Sequence, residues 1–290
     1  MNRRDLILGS ALSVVTAKAV AQARPPRVRR TPGASQTAPG APYIPSNYGH
    51  SMVIMFTTST DLSAFMPPGL TAVDPHRGFI KAERIKLRSP TADAMPAAFG
   101  QYDQVCITTM ATTPEFGPRH RNILMWENRA WAVGSSMLAV KRWGSIDMPH
   151  IFELDHKLVS QGTPVPFFVR VQQDGYTLMT FSGELDGRKR AELPPYPGFY
   201  VGGDPGQDLL ALTLDASEFS NPLHGTGTMS FGENPNDRGP AGPGKGWSAS
   251  LLKDVRVVGA TFVDFSFTRS YGPEMKLVRK ALPGNGRSRL

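Results

Sequence analysis

The sequence predicts a mainly β (α+β) domain built on one large antiparallel sheet or barrel, with few short helices outside it. Three observations carry this reading. The 29 Gly and 26 Pro in 290 residues interrupt long helices and favour strands joined by turns. Runs rich in Val, Ile, Phe, Tyr and Thr recur between turn signals, and one pair of runs flanks Asp174-Gly175, a dipeptide that supplies the positive φ angles of a type I′ hairpin turn.

In chain order, residues 51–58 form a β-rich run. A short helix follows over 60–66, capped by Ser59 or Thr60 and stopped by Pro67-Pro68-Gly69. Strands are predicted over 78–87, 105–110, 122–126 and 151–159, then a hairpin of 167–173 with 176–181, then 209–214 and 255–267. Residues 232–246, rich in Gly, Pro and Asn, read as a surface loop or lid.

The ends are set apart by composition. Arg3-Arg4 runs into the apolar stretch 6–15, and small-residue cleavage patterns follow at Ala19-Val20-Ala21 and Ala21-Gln22-Ala23. Residues 1–23 thus resemble a twin-arginine signal peptide, which implies a periplasmic or secreted protein exported already folded. Residues 24–45 are a Pro/Arg-rich linker expected to be disordered, 46–282 the folded domain, and 283–290 a flexible tail. No apolar run is long enough for a membrane-spanning helix. A single cysteine, Cys106, cannot close an internal disulfide.

The net charge of +8 suggests a nucleic-acid binder until the charges are located. Arg3, Arg4, Lys18, Arg24, Arg27, Arg29 and Arg30 stand against Asp5 alone, and the remainder of the chain carries 25 basic and 23 acidic residues. That near-neutral body has no footprint for DNA or RNA. The six histidines fit no standard metal spacing, the 225–230 segment lacks the setting of a dinucleotide loop, and Gly-x-Ser-x-Gly is absent.

Two strands and one further segment carry candidate chemistry. Alternation over 79–87 puts Phe79, Lys81, Glu83, Ile85 and Leu87 on one face. A carboxylate there is either paired and buried, or solvated on an edge strand. Tyr102, Gln104, Cys106 and Thr108 share a face of the next strand, which fits a pocket wall and a half-buried sheet equally. In the segment Met137-Leu-Ala-Val-Lys-Arg-Trp-Gly144, Lys141 lies among apolar residues with Arg142 beside it. Desolvation and an adjacent guanidinium both disfavour the ammonium, and a neutral amine attacks carbonyls to form a Schiff base. The same residues also fit a lysine and an arginine snorkelling from a half-buried turn.

Taken in order from residue 52 to 159, and more weakly to 271, the chain resembles the acetoacetate decarboxylase family. The likeness is carried by Met52-Val-Ile-Met-Phe-Thr-Thr58, the 61–66 helix ending in Pro-Pro-Gly-Leu70, Phe99-Gly-Gln-Tyr-Asp-Gln104, Ala130-Trp-Ala-Val-Gly134 and Lys141-Arg-Trp-Gly144. The resemblance implies a sheet closing into a cone-like barrel around a central pocket. It also implies a Schiff-base lyase acting on a small keto acid, with no metal and no cofactor beyond the covalent lysine imine. Acetoacetate decarboxylase is the standard instance of a lysine made nucleophilic by its apolar, cationic surroundings.

Carried over by position, Lys141 matches the Schiff-base lysine, Arg142 its cationic neighbour and a substrate-binding residue, and Glu83 the first pocket glutamate. Gln104 stands where the family has a second glutamate, and Tyr102 beside it lines the substrate side. A family arginine before the first strand falls near Gly49 or His50 and is missing here. These departures resemble a divergent branch with aldolase or dehydratase chemistry on keto acids. The rival from another class is an exported, non-catalytic barrel that binds a small apolar or acidic ligand. Self-association into a homo-oligomer stays open.

Overall fold

The computed structural model describes residues 47–87, 101–129, 140–148, 163–189, 198–203, 208–212, 216–236, 252–268 and 276–280. All of them belong to one unit, Ala34–Leu290. The proposed signal peptide, linker and tail, the 151–159 strand and most of the 232–246 loop lie outside the described residues.

Among the described residues, fourteen strands form one sheet. They are β1 (Asn47–Thr57), β2 (Thr71–Ala72), β3 (Arg77–Leu87), β4 (Gln101–Thr112), β5 (Arg119–Glu127), β6 (Val140–Trp143) and β7 (Ser145–Asp147). Then come β8 (Val165–Gln173), β9 (Tyr176–Lys189), β10 (Phe199–Gly202), β11 (Leu209–Leu212), β12 (Ala216–Phe231), β13 (Arg256–Thr268) and β14 (Lys276–Arg279). The order across the sheet is β14-β11-β10-β5-β4-β3-β1-β13-β12-β9-β8-β7, with β2 added to β4 and β6 to β5. Among the described residues no helix is long and apolar enough to cross a membrane.

The mainly β class agrees with the sequence, and three details differ. The sheet is mixed, because β5 runs parallel to both β6 and β10. Among the described residues its hydrogen-bonded path is open, ending at β14 and β7, and does not close into a barrel. Residues 140–147 change partner instead. β6 lies on β5, the Gly144 amide bonds Glu127 O at 3.1 Å, and β7 lies on β8. The expected 60–66 helix is a single 3₁₀ turn, Leu62–Phe65, capped by Asp61, whose Oδ1 accepts from the Ser63 amide at 2.8 Å. Ser59 and Thr60 instead tie the chain to Asp254 and Lys253, at 2.7 and 2.9 Å.

The β8–β9 hairpin forms as predicted, with Asp174 and Gly175 at φ 51° and 82°. One face of β1, β3, β4, β5 and β13 supplies the apolar core: Met52, Ile54, Phe56, Ile80, Ala82, Val105, Ile107, Leu124, Trp126 and Phe262 are all nearly or fully buried. Each such large side chain contributes about 1.5–3 kcal/mol on leaving water. β12 escaped the sequence reading because its Gly and Thr content hides any alternation. Its Gly227 is required by contact, since a Cβ there would lie 2.5 Å from the Phe181 ring.

Candidate functional site

The opposite face of the same central strands is buried as well, yet polar. β3 lies between β1 and β4, so Glu83 sits on a central strand and is buried. Register then brings together residues distant in sequence. One cross-strand row runs Ser51, Glu83, Gln104, Glu127 over β1, β3, β4 and β5. Ser51 Oγ donates to Glu83 Oε1 at 3.2 Å, and Gln104 Nε2 donates to Glu83 Oε2. Both carboxylate oxygens are thus held by neutral donors, which fix the orientation of the group. All four side chains are buried. Tyr102, also buried, lies on this face two residues before Gln104 and in register with Ile85.

A second row, two residues along each strand and hence about 7 Å away, runs Lys81, Cys106, Met125, Lys141 over β3 to β6. Lys81 is 2% exposed, and its Nζ lies 4.6 Å from the centroid of the Phe199 ring. A bulge in β5 after residue 122 returns Asn122 and His120 to the same face, where Thr108 Oγ1 donates to Asn122 Oδ1 at 2.8 Å. His120 packs edge-on against Phe79 and Phe199, with centroids 4.8 and 5.8 Å away. Burial, reinforced by the Lys81 charge, holds the imidazole's pKa well below its ordinary value, so His120 is neutral near pH 7.

Of the residues named from sequence, the structure joins Glu83 to Gln104 directly and puts Tyr102 on their face. The Lys141 backbone pairs with Met125, next to that row; its side chain lies outside the described residues. Arg142 is buried but in register with Trp126, on the core face of β5. Gly49 and His50, where a further arginine was expected, belong to β1. A Cβ at Gly49 would lie 2.1 Å from Arg84 O, and His50 Nδ1 is 2.6 Å from Asp264. Sequence reasoning passed over Ser51, Lys81, His120, Asn122 and Glu127. For Lys81 the signal was present, since it shares the alternation of Glu83.

An open mixed sheet with a buried polar face is a fold with known relatives. An acetoacetate decarboxylase-like enzyme from Sphingomonas wittichii RW1 matches at TM-score 0.64 and 15% identity, over 86% of this chain and 100% of that one. The chain has the acetoacetate decarboxylase-like fold. It is also similar to the enduracididine biosynthesis enzyme MppR, in its complex with pyruvate (TM-score 0.59, 18% identity, 84% of this chain and 95% of that one). A third is the acetoacetate decarboxylase of Legionella pneumophila subsp. pneumophila str. Philadelphia 1 (0.52, 12%, 83% and 92%). No protein-family model and no curated protein sequence matches the chain. Within the acetoacetate decarboxylase-like fold, the Glu83–Gln104 pair lies on two neighbouring central strands and Lys141 on the short strand that leaves β5 for β8.

Proposed function

We propose that this protein is a lyase that forms a Schiff base between Lys141 and a small keto acid. The observation that carries the reading is the buried row Ser51–Glu83–Gln104–Glu127, one step from the row that ends at Lys141. It supplies a fixed carboxylate, Glu83, for proton transfer on the face of the sheet that also carries the row ending at Lys141. In this reading the neutral amine adds to the keto carbon, and loss of water gives a protonated imine. The imine nitrogen then takes the electron pair of a breaking C–C or C–H bond, releasing carbon dioxide or a proton and leaving an enamine. Glu83, or a water held by Gln104, transfers the proton to or from carbon. Hydrolysis frees the product and restores the amine. No metal or cofactor enters these steps.

Gln104 favours a second variant of the same chemistry. An amide orients a carbonyl or a water but cannot shuttle a proton, which suits an aldol condensation or a dehydration better than decarboxylation. MppR, one of the similar structures, is known in complex with the condensation product of pyruvate and imidazole 4-carboxaldehyde. By its twin-arginine-type start the enzyme works in the periplasm or outside the cell.

Borohydride reduction with pyruvate or acetoacetate, followed by intact mass and peptide mapping, tests the reading. A stable adduct on Lys141, absent from Lys141→Ala, is expected. No adduct with any keto acid moves the function to a non-catalytic binding protein.

A further inference from the structure

A keto acid has two ends, and the mechanism above uses only the carbonyl. Arg142, the cation first expected to meet the carboxylate, lies in register with Trp126 on the core face, opposite to Glu83 and Gln104. The buried polar face carries another cation. Among the described residues of β1, β3, β4 and β5, Lys81 is the buried lysine or arginine on that face.

Its surroundings are built rather than incidental. The side chain is 2% exposed, so its ammonium has given up most of its water. The Phe199 ring stacks beneath it at 4.6 Å, a contact that supports a desolvated cation without neutralising it. Phe199 is placed by its ladder partner His120, whose amide bonds Gly198 O at 3.0 Å. His120 itself is neutral, so it competes for no anion. Thr108 and Asn122 continue the wall as a polar pair. Lys81 and Lys141 stand at opposite ends of one row, three strand spacings apart, about 14 Å along the sheet.

Resting on the Schiff-base reading, we infer that Lys81 is a specificity-determining residue: its ammonium binds the substrate's carboxylate at the inner wall while the keto carbon is presented to Lys141. This selects small keto acids over neutral ketones of the same size.

The test compares pyruvate with methyl pyruvate, which keeps the ketone and loses the charge. In the wild type, half-maximal borohydride trapping is expected at a concentration about ten- to a hundredfold lower for the acid. Lys81→Met removes that preference by weakening pyruvate and leaving the ester unchanged; Lys81→Arg, which keeps the charge, retains part of it. Circular dichroism checks that both variants fold, and Lys81→Gln, a neutral variant that keeps a polar head, serves where Lys81→Met does not fold. Equal trapping of acid and ester by the wild type overturns the inference, as does an adduct mapped to Lys81 itself. Oxamate, an anion of pyruvate's shape that forms no imine, separates this inference from the reading beneath it. If the wild type traps nothing but binds oxamate by calorimetry, and Lys81→Met binds it at least about tenfold more weakly, the anion site stands and the enzymatic reading falls. If oxamate binds both equally, or binds neither, the anion site falls.

Discussion

Gln104→Glu puts a second carboxyl where an amide now donates to Glu83 Oε2. Both positions are buried, at 3% and 8% exposure, and Ser51 Oγ already occupies the other oxygen of Glu83 at 3.2 Å. Two unit charges about 4 Å apart repel by ~4 kcal/mol at an effective dielectric constant of about 20. Ionising the pair completely in the folded protein is therefore about a thousandfold harder than in the unfolded chain. The sign follows from linkage. A carboxyl whose folded pKa is raised contributes no penalty below the unfolded value of about 4.3, and the variant loses stability as pH rises from there to about 7. Urea unfolding at pH 5 and pH 8 reads the effect, with Gln104→Glu expected to lose about 3 kcal/mol more than the wild type across that interval.

The double exchange, Glu83→Gln with Gln104→Glu, sharpens the argument. It keeps one carboxylate and one amide and only reverses the bond between β3 and β4, so the added pH dependence should vanish and the coupling energy should be large. If the single variant follows the wild type at both pH values, or the double variant is as pH-sensitive as the single, the two side chains do not share a site and the geometry argued here is wrong. The single variant also carries a functional reading. Sharing one proton near neutral pH, the pair gains the acid that decarboxylation lacks, and carbon dioxide release from acetoacetate should rise above the wild-type rate.

Three further outcomes are expected. Because burial holds His120 neutral, acidification below about 6.5 should cost the wild type up to ~1.4 kcal/mol per pH unit; His120→Phe, measured by denaturant unfolding from pH 7 to 5, should lack that part of the slope. Gly183→Ala puts a Cβ 2.2 Å from Thr226 O across the β9–β12 ladder, so it should lower stability by about 1–3 kcal/mol, read as a lower urea midpoint at unchanged m-value. A reporter that folds before transport, fused to residues 1–23, should reach the periplasm, and replacement of Arg3 and Arg4 by lysine should retain it in the cytoplasm; unchanged export would point to the general secretory route.

What was legible in the sequence was whatever depends on one strand at a time. The β8–β9 hairpin followed from Asp174-Gly175, and β1, β3, β4 and β13 from β-branched and aromatic runs. What depends on pairing was hidden. β6 and β7 are short and take opposite partners around Gly144, where a Cβ would lie 3.2 Å from Val171 and 3.4 Å from Trp126. β12 is long but spaced by glycines that admit the Phe181 ring. The parallel contacts of β5 with β6 and β10 join segments whose order no local pattern encodes.

The candidate site divides the same way. Glu83 and Gln104 could each be assigned to a face, but their contact across 21 residues exists only because β3 and β4 pair in that register. Alternation reports polarity and not exposure. A strand that carries Lys81 and Glu83 on the same face as Phe79, Ile85 and Leu87 reads, from its sequence, equally as a buried polar pair and as an edge facing water. Its place between β1 and β4 decides between the two: both faces are covered, so the polar face is where desolvated charge collects. Burying charge is costly unless each group is held by a partner, and here the partners come from neighbouring strands, Ser51 and Gln104 for Glu83 and the Phe199 ring for Lys81. A polar alternation on a strand that topology places in the centre of a sheet is thus a site signal that becomes readable only once strand order is known.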